Sequence, residues 1–167
     1  EDIKRLKAKC PSIRFHLNTG LGQQVTLEEL KHRHDAVLLA IGSWWGKPMD
    51  VRGEDHPMVV DGVSFLRRVN AGERPSLPHS VVVIGGGDVA MDACRVAKRL
   101  PGCTQVKVIY RRGPDEIPAR EIELHHAIKE DIEFIYNTLQ VSVDQNVSGL
   151  TLNCMRTELA EPDEDGR

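Results

Sequence analysis

The chain has 167 residues, 40 % of them apolar and 28 % charged, with a formal net charge of -3. That length suits one domain, or one domain with part of another. The slight negative charge and the 4 % aromatic content argue against a nucleic-acid surface or a base-stacking platform.

In chain order, Glu1–Lys9 reads as a helix with neither initiator Met nor cap, so the chain is read as a segment of a longer protein. Ser12–Asn18 predicts a strand. Thr26-Leu27-Glu28-Glu29 has the spacing of a capping box and opens a short helix. Asp35–Ile41 predicts a strand ending at Gly42. Trp44–Gly53 is a Gly/Pro-rich loop, Asp61–Asn70 a helix, and Ala71–His79 a turn-rich linker. The longest apolar runs, Ala36–Ile41 and Val81–Ile84, have the length of strands and fall far short of a membrane span.

Val81–Ile84 is a β-branched run that predicts a buried parallel strand. Asp88–Leu100 carries Val89, Ala90, Ala93, Val96, Ala97 and Leu100 at helical spacing and stops at Pro101-Gly102. Val106–Tyr110 is a second strand, so the three segments form a β-α-β unit. Arg120–Glu130 follows as a helix. Ile132–Tyr136, Leu139–Val143 and Leu150–Arg156 alternate as half-exposed strands, with a turn at Asn146–Gly149. Glu158–Arg167 is acidic, lacks an apolar pattern and reads as a mobile tail.

The chemistry centres on Gly85-Gly86-Gly87-Asp88-Val89-Ala90, placed directly after a buried strand and at the start of a helix. That context turns a common glycine run into a dinucleotide fingerprint. Gly85 makes the tight turn, Gly87 lets backbone approach a pyrophosphate, and Ala90 takes the place of the third glycine against the strand. The helix start supplies N–H donors and a positive dipole end. Asp88 is an awkward neighbour for phosphate, and its side chain is expected to cap its own helix.

An NAD site commonly has an acid at the tip of the second strand. Here that tip is Tyr110-Arg111-Arg112, and a guanidinium suits a 2′-phosphate. The pattern therefore favours NADP(H), with Arg120 closing over the same phosphate. The competing reading of the arginines is a solvated strand end.

Other constellations carry less. His32 and His34, or the adjacent His125 and His126, do not share one helical face as a metal pair requires, so no metal site is assigned. Cys10, Cys94, Cys103 and Cys154 form no CxxC pair, which fits reduced thiols in a cytoplasmic protein and supports no cluster in this segment. No serine sits in a GxSxG setting. Trp44 and Trp45 either line a flavin or domain interface or pack on their own loop. Hydride transfer depends on positioning more than on an acid or base, so no catalytic side chain is named.

Val81–Asn137, and above all Tyr110-Arg111-Arg112 with Ile117-Pro118-Ala119-Arg120, resembles the NADPH-binding region of the glutamate synthase small subunit. It is equally similar to the corresponding parts of dihydropyrimidine dehydrogenase and of NADH-dependent ferredoxin:NADP oxidoreductase. His34–Ser43 resembles the strand and turn that close the FAD half of such enzymes, and Arg52-Gly53-Glu54-Asp55 fits the loop that follows. The resemblance spans nearly the whole chain. It implies an α/β fold: a Rossmann-like NADP(H)-binding domain with a parallel sheet, preceded by a partial FAD-binding-domain segment. The implied boundaries are 1–50 for the partial FAD segment, 51–80 for a linker, 81–157 for the NADP(H) domain and 158–167 for the tail.

It also implies an FAD-dependent oxidoreductase in which NADPH reduces FAD, and electrons pass to iron–sulfur clusters held elsewhere or to a substrate domain. Ala40 and Gly42 enter as FAD-side residues on this resemblance alone. The implied partners are the nucleotide and the rest of the flavoprotein chain or an iron–sulfur subunit, with no nucleic acid and no membrane insertion. This segment lacks the main FAD loop and is expected to be inactive alone. A non-catalytic dinucleotide-binding or sensing module is the alternative.

Overall fold

The computed structural model describes residues 2–147 and 149–159. The chain divides into two compact units, Glu1–Gly42 and Ser43–Arg167. The Asn146–Gly149 turn is described only in part, and residues 160–167 of the acidic tail lie outside the described residues.

The first unit holds α1 (Asp2–Lys9) and α2 (Leu27–Arg33). The capping box forms as its spacing predicts: the Thr26 N–H donates to Glu29 Oε2 at 2.8 Å, and the Glu29 N–H donates to Thr26 Oγ1 at 3.2 Å. Lys7 Nζ sits 4.7 Å above the centre of the Phe15 ring. Ser12–Asn18 and Asp35–Ile41, expected as strands, join no ladder. A strand persists only where a neighbour takes its N–H and C=O groups. Among the described residues no other segment supplies one, and Leu38 is left 90 % exposed.

The second unit carries the packed core. It contains α3 (Gly62–Asn70), β1 (Ser80–Ile84), α4 (Asp88–Arg99), β2 (Gln105–Ile109), a 3₁₀ turn at Pro114–Glu116, α5 (Glu121–Lys129), β3 (Glu133–Ile135), β4 (Thr138–Asn146) and β5 (Gly149–Arg156). The first three strands make a parallel sheet in the order β1-β2-β3, with Ile84 opposite Ile109 and Ile109 opposite Ile135. The connections run through α4 and α5, as parallel strands require. The predicted α/β class with a parallel sheet is therefore found. The alternating C-terminal strands separate: β3 enters that sheet, whereas β4 and β5 form an antiparallel hairpin with an irregularity between Gln140 and Ser142.

Small side chains let α4 lie close on the sheet. Met91 and Cys94 are fully buried, Ala90, Ala93 and Ala97 nearly so, and all lie at helical spacing. Ala90, Met91, Cys94 and Ala97 pack with Val106 and Val108 of β2 and with Ala127 of α5. Asp61 caps α3 through the N–H groups of Val63 and Ser64. Gly53 has φ +82°, and a β-carbon there would strike the backbone of Val143, so the loop before α3 lies tightly against β4. The Val143 N–H donates to the Arg52 carbonyl at 2.8 Å, and Arg52 pairs with Asp144 at 2.8 Å.

Candidate functional site

The site assembles where β1 and β2 end side by side at the carboxyl edge of the sheet, the usual ligand edge of open α/β sheets. Gly85 leaves β1 with φ +129°, a conformation natural only to glycine, and its N–H donates to the Ile109 carbonyl at 3.0 Å. Ala90 lies 3.6 Å from where a Gly85 β-carbon would stand, so the third motif position packs close to the first.

The next two glycines face different surroundings. A β-carbon on Gly86 would meet Tyr110 Cδ2 at 2.7 Å and Ile117 Cγ1 at 2.9 Å; on Gly87 it would meet nothing within 4 Å. Gly87 is the N-cap of α4, and no side chain caps this helix. Val89, in the first turn, is 46 % exposed. The open face at Gly87 and the uncapped helix start are what a pyrophosphate needs: close backbone approach and N–H donors.

Asp88 does not cap its own helix. Its Oδ1 accepts the Arg120 N–H and its Oδ2 accepts Arg120 Nε–H, both at 3.0 Å. The Arg120 N–H and guanidinium hold the Asp88 carboxyl below the usual carboxylate range. The unexpected partner follows from Ile117–Arg120, which lie across the glycine loop. The Ala119 N–H donates to the Gly86 carbonyl at 3.0 Å, and the Tyr110 hydroxyl donates to the Glu116 carbonyl at 2.6 Å. Sequence reading singled out this string but missed Tyr110, Ile117 and Ala119 as the residues that close over Gly86. An aromatic side chain at the tip of the strand beside a triple glycine was the available signal.

Arg111 and Arg112 follow β2 directly. Their backbone is pinned: the Arg112 carbonyl accepts the Asn137 N–H at 3.0 Å, and the Arg111 carbonyl accepts the Thr157 hydroxyl at 2.6 Å. Neither guanidinium has a hydrogen-bond or ion-pair partner among the described residues. Beyond Arg120 an alternating charge ladder ties α4 to α5. Arg120 approaches Glu123 at 3.5 Å, Arg95 bridges Glu123 at 2.8 Å and Glu130 at 3.0 Å, and Glu130 also pairs with Arg99.

The structure thus brings Gly85–Ala90, Tyr110 and Ile117–Arg120 together. Ala40 and Gly42 belong to the first unit, where Gly42 turns with φ +68°. Among the described residues no group of three His, Cys, Asp or Glu side chains converges as metal ligands, and no helix is long and apolar enough to cross a membrane.

Residues 5–163 match the family described as pyridine nucleotide-disulphide oxidoreductase. The NADP(+)-dependent formate dehydrogenase subunit beta of Moorella thermoacetica is 40 % identical over 172 residues, covering 99 % of this chain and 24 % of that protein. The glutamate synthase [NADPH] small chain of Escherichia coli is 33 % identical over 168 residues, covering 93 % of this chain and 35 % of that protein. The chain therefore spans about a quarter to a third of these relatives. Among solved structures, Mycobacterium tuberculosis FprA in complex with NADPH superposes with a TM-score of 0.83 at 22 % identity, over 99 % of this chain and 52 % of that one. That likeness concerns the fold.

Proposed function

The chain belongs to the pyridine nucleotide-disulphide oxidoreductase family, and on that premise we propose that it is the NADP(H)-binding segment of an FAD-dependent oxidoreductase. One observation carries the reading: the open face of Gly87 at the uncapped start of α4, one strand away from the guanidinium groups of Arg111 and Arg112, which have no partner among the described residues. The first feature fits a pyrophosphate and the second a 2′-phosphate.

The nucleotide, when bound, supplies a hydride that flavin accepts. The chain's own residues bind and orient. Gly85, Gly86 and Gly87 shape the loop, and Asp88, Val89 and Ala90 form the first turn that presents N–H donors. Arg111, Arg112 and Arg120 grip the ribose phosphate. No side chain is assigned a proton-transfer role, because hydride transfer turns on alignment.

In this reading residues 1–50 are a partial FAD-domain segment, with Ala40 and Gly42 on the flavin side. Residues 51–80 link it to the NADP(H) domain at 81–157, and an acidic tail follows at 158–167. In the longer cytoplasmic protein, electrons pass from FAD to iron–sulfur clusters or to a substrate domain, on the same chain or on a partner subunit.

Calorimetric titration of the 167-residue chain with NADPH and with NADH tests the core of the proposal. Tighter binding of NADPH is expected. Equal affinity, or no binding of either, overturns it.

A further inference from the structure

Resting on that reading of the nucleotide site, we propose that Asp88 is a positioning residue: its carboxylate holds Arg120, and with it the strap Ile117–Arg120, over the glycine loop, so dinucleotide binding depends on Asp88 through Arg120.

An unpaired carboxylate at the first residue of α4 would repel the phosphates that this helix start attracts. Both Asp88 oxygens are instead engaged by one partner, Oδ1 by the Arg120 N–H and Oδ2 by its Nε–H. Arg120 is also the N-cap of α5 and makes no side-chain cap of its own. The pair therefore joins the starts of the two helices that follow β1 and β2. Between them the strap rests on Gly86, through the Ala119 N–H on the Gly86 carbonyl and through Ile117 in the space a β-carbon would need.

Exposure decides between a stabilising and a positioning role. The Arg120 side chain is 66 % exposed and that of Asp88 44 %. Ion pairs so open to water add little to stability. What the pair fixes is geometry. Among the described residues the guanidinium meets Asp88 through Nε, and one Nη meets only Glu123, at 3.5 Å. The remaining Nη–H groups stay available for an anion while the side chain is held by its inner edge. The same contact neutralises the acid beside the pyrophosphate position.

A double-mutant cycle on the 167-residue chain tests this, with NADPH affinity by calorimetry and melting temperature measured on every variant. Asp88→Ala and Arg120→Ala should each weaken NADPH about tenfold, and the double variant should be no weaker than the worse single one. Asp88→Asn, whose amide oxygen can still accept the Arg120 N–H, should recover part of the loss. Melting temperatures should stay near wild type. Losses that multiply overturn the inference, because they place the two residues on the ligand independently. Tighter binding by Asp88→Ala overturns it too, since that marks a carboxylate that only repels phosphate. A wild-type chain that binds neither nucleotide removes the underlying site reading, whereas wild-type binding with multiplying losses removes the Asp88 inference alone.

Discussion

The ring of Tyr110 stands where Gly86 would carry a β-carbon, 2.7 Å from its ideal position. The ring cannot swing freely, because its hydroxyl donates to the Glu116 carbonyl at 2.6 Å. Gly86→Ala should therefore overpack the turn and destabilise the chain by about 1–3 kcal/mol. The melting temperature followed by circular dichroism should fall by several degrees, and a wild-type value would show that the strap yields at little cost.

Gly87 is the opposite case. Its φ of -87° suits any residue, and open space surrounds it. Gly87→Val should keep the wild-type melting temperature and lose NADPH binding, because the new side chain fills the phosphate approach. Undiminished affinity in a folded variant would place the nucleotide elsewhere.

These two glycines also mark how far the sequence could be read. Strand, glycine turn, helix and second strand were legible because the β-branched runs and the helical spacing from Val89 to Leu100 agree with the turn chemistry around them. The capping box at Thr26 was legible for the same reason: both partners lie within four residues. Asp35–Ile41 was misread because apolar pattern cannot report whether a neighbouring strand is present. Asp88 was misread because its partner lies 32 positions along the chain, at Arg120. Local spacing carries no trace of such a contact. Likewise, nothing in the alternation of the last three strands separates β3, which joins the parallel sheet, from the hairpin β4–β5.

Burial sorts the four free cysteines. It pushes the Cys94 thiol up to about 11, and the residue is closed inside α4's packed face. Cys154 is exposed on β5. Alkylation with iodoacetamide at pH 8 should modify Cys154 in the folded chain, while Cys94, whose thiol is pushed up to about 11 and closed off from solvent, reacts far more slowly. Peptide mass spectrometry reads both sites. Comparable rates would mean that the core between α4 and β2 opens readily.

Asp61 gives a pH-dependent prediction. Partial burial raises its pKa, but the N–H groups of Ser64 and Val63 outweigh this, Arg67 adds to them, and the folded value lies below the ordinary one. A depressed folded pKa contributes stability above the unfolded value, near about 4, and that contribution is lost as pH falls through the folded value. Asp61→Ala should cost about 1 kcal/mol at pH 7. The stabilities of both proteins in denaturant melts should converge as pH falls through the folded value, and a gap that persists below it would show that something other than the charged cap is what Asp61 supplies.

In the proposed reading, cofactor choice rests on Arg111 and Arg112, which emerge from β2 at the carboxyl edge of the sheet, one strand away from the glycine loop. Their backbone is fixed by Asn137 and Thr157, so the two guanidinium groups start from a defined place although their side chains have no partner among the described residues. A 2′-phosphate carries close to two negative charges and offers three acceptor oxygens. NAD(H) lacks that group and finds no carboxylate here for its ribose hydroxyls. Each charge-assisted contact is worth roughly 1.5–3 kcal/mol, or about ten- to hundredfold in affinity. Screening at this exposed rim pulls the value toward the lower end. Arg111→Ala/Arg112→Ala should therefore weaken NADPH at least about tenfold and leave NADH nearly unchanged. The wild-type preference should shrink between low and moderate salt, whereas that of the double variant should stay flat. Calorimetric titration of both nucleotides, at both salt concentrations and with both proteins, gives the two ratios directly. Loss of both nucleotides in the variant would mean that the arginines support the fold, and a wild-type preference insensitive to salt would mean that selection rests on something other than charge.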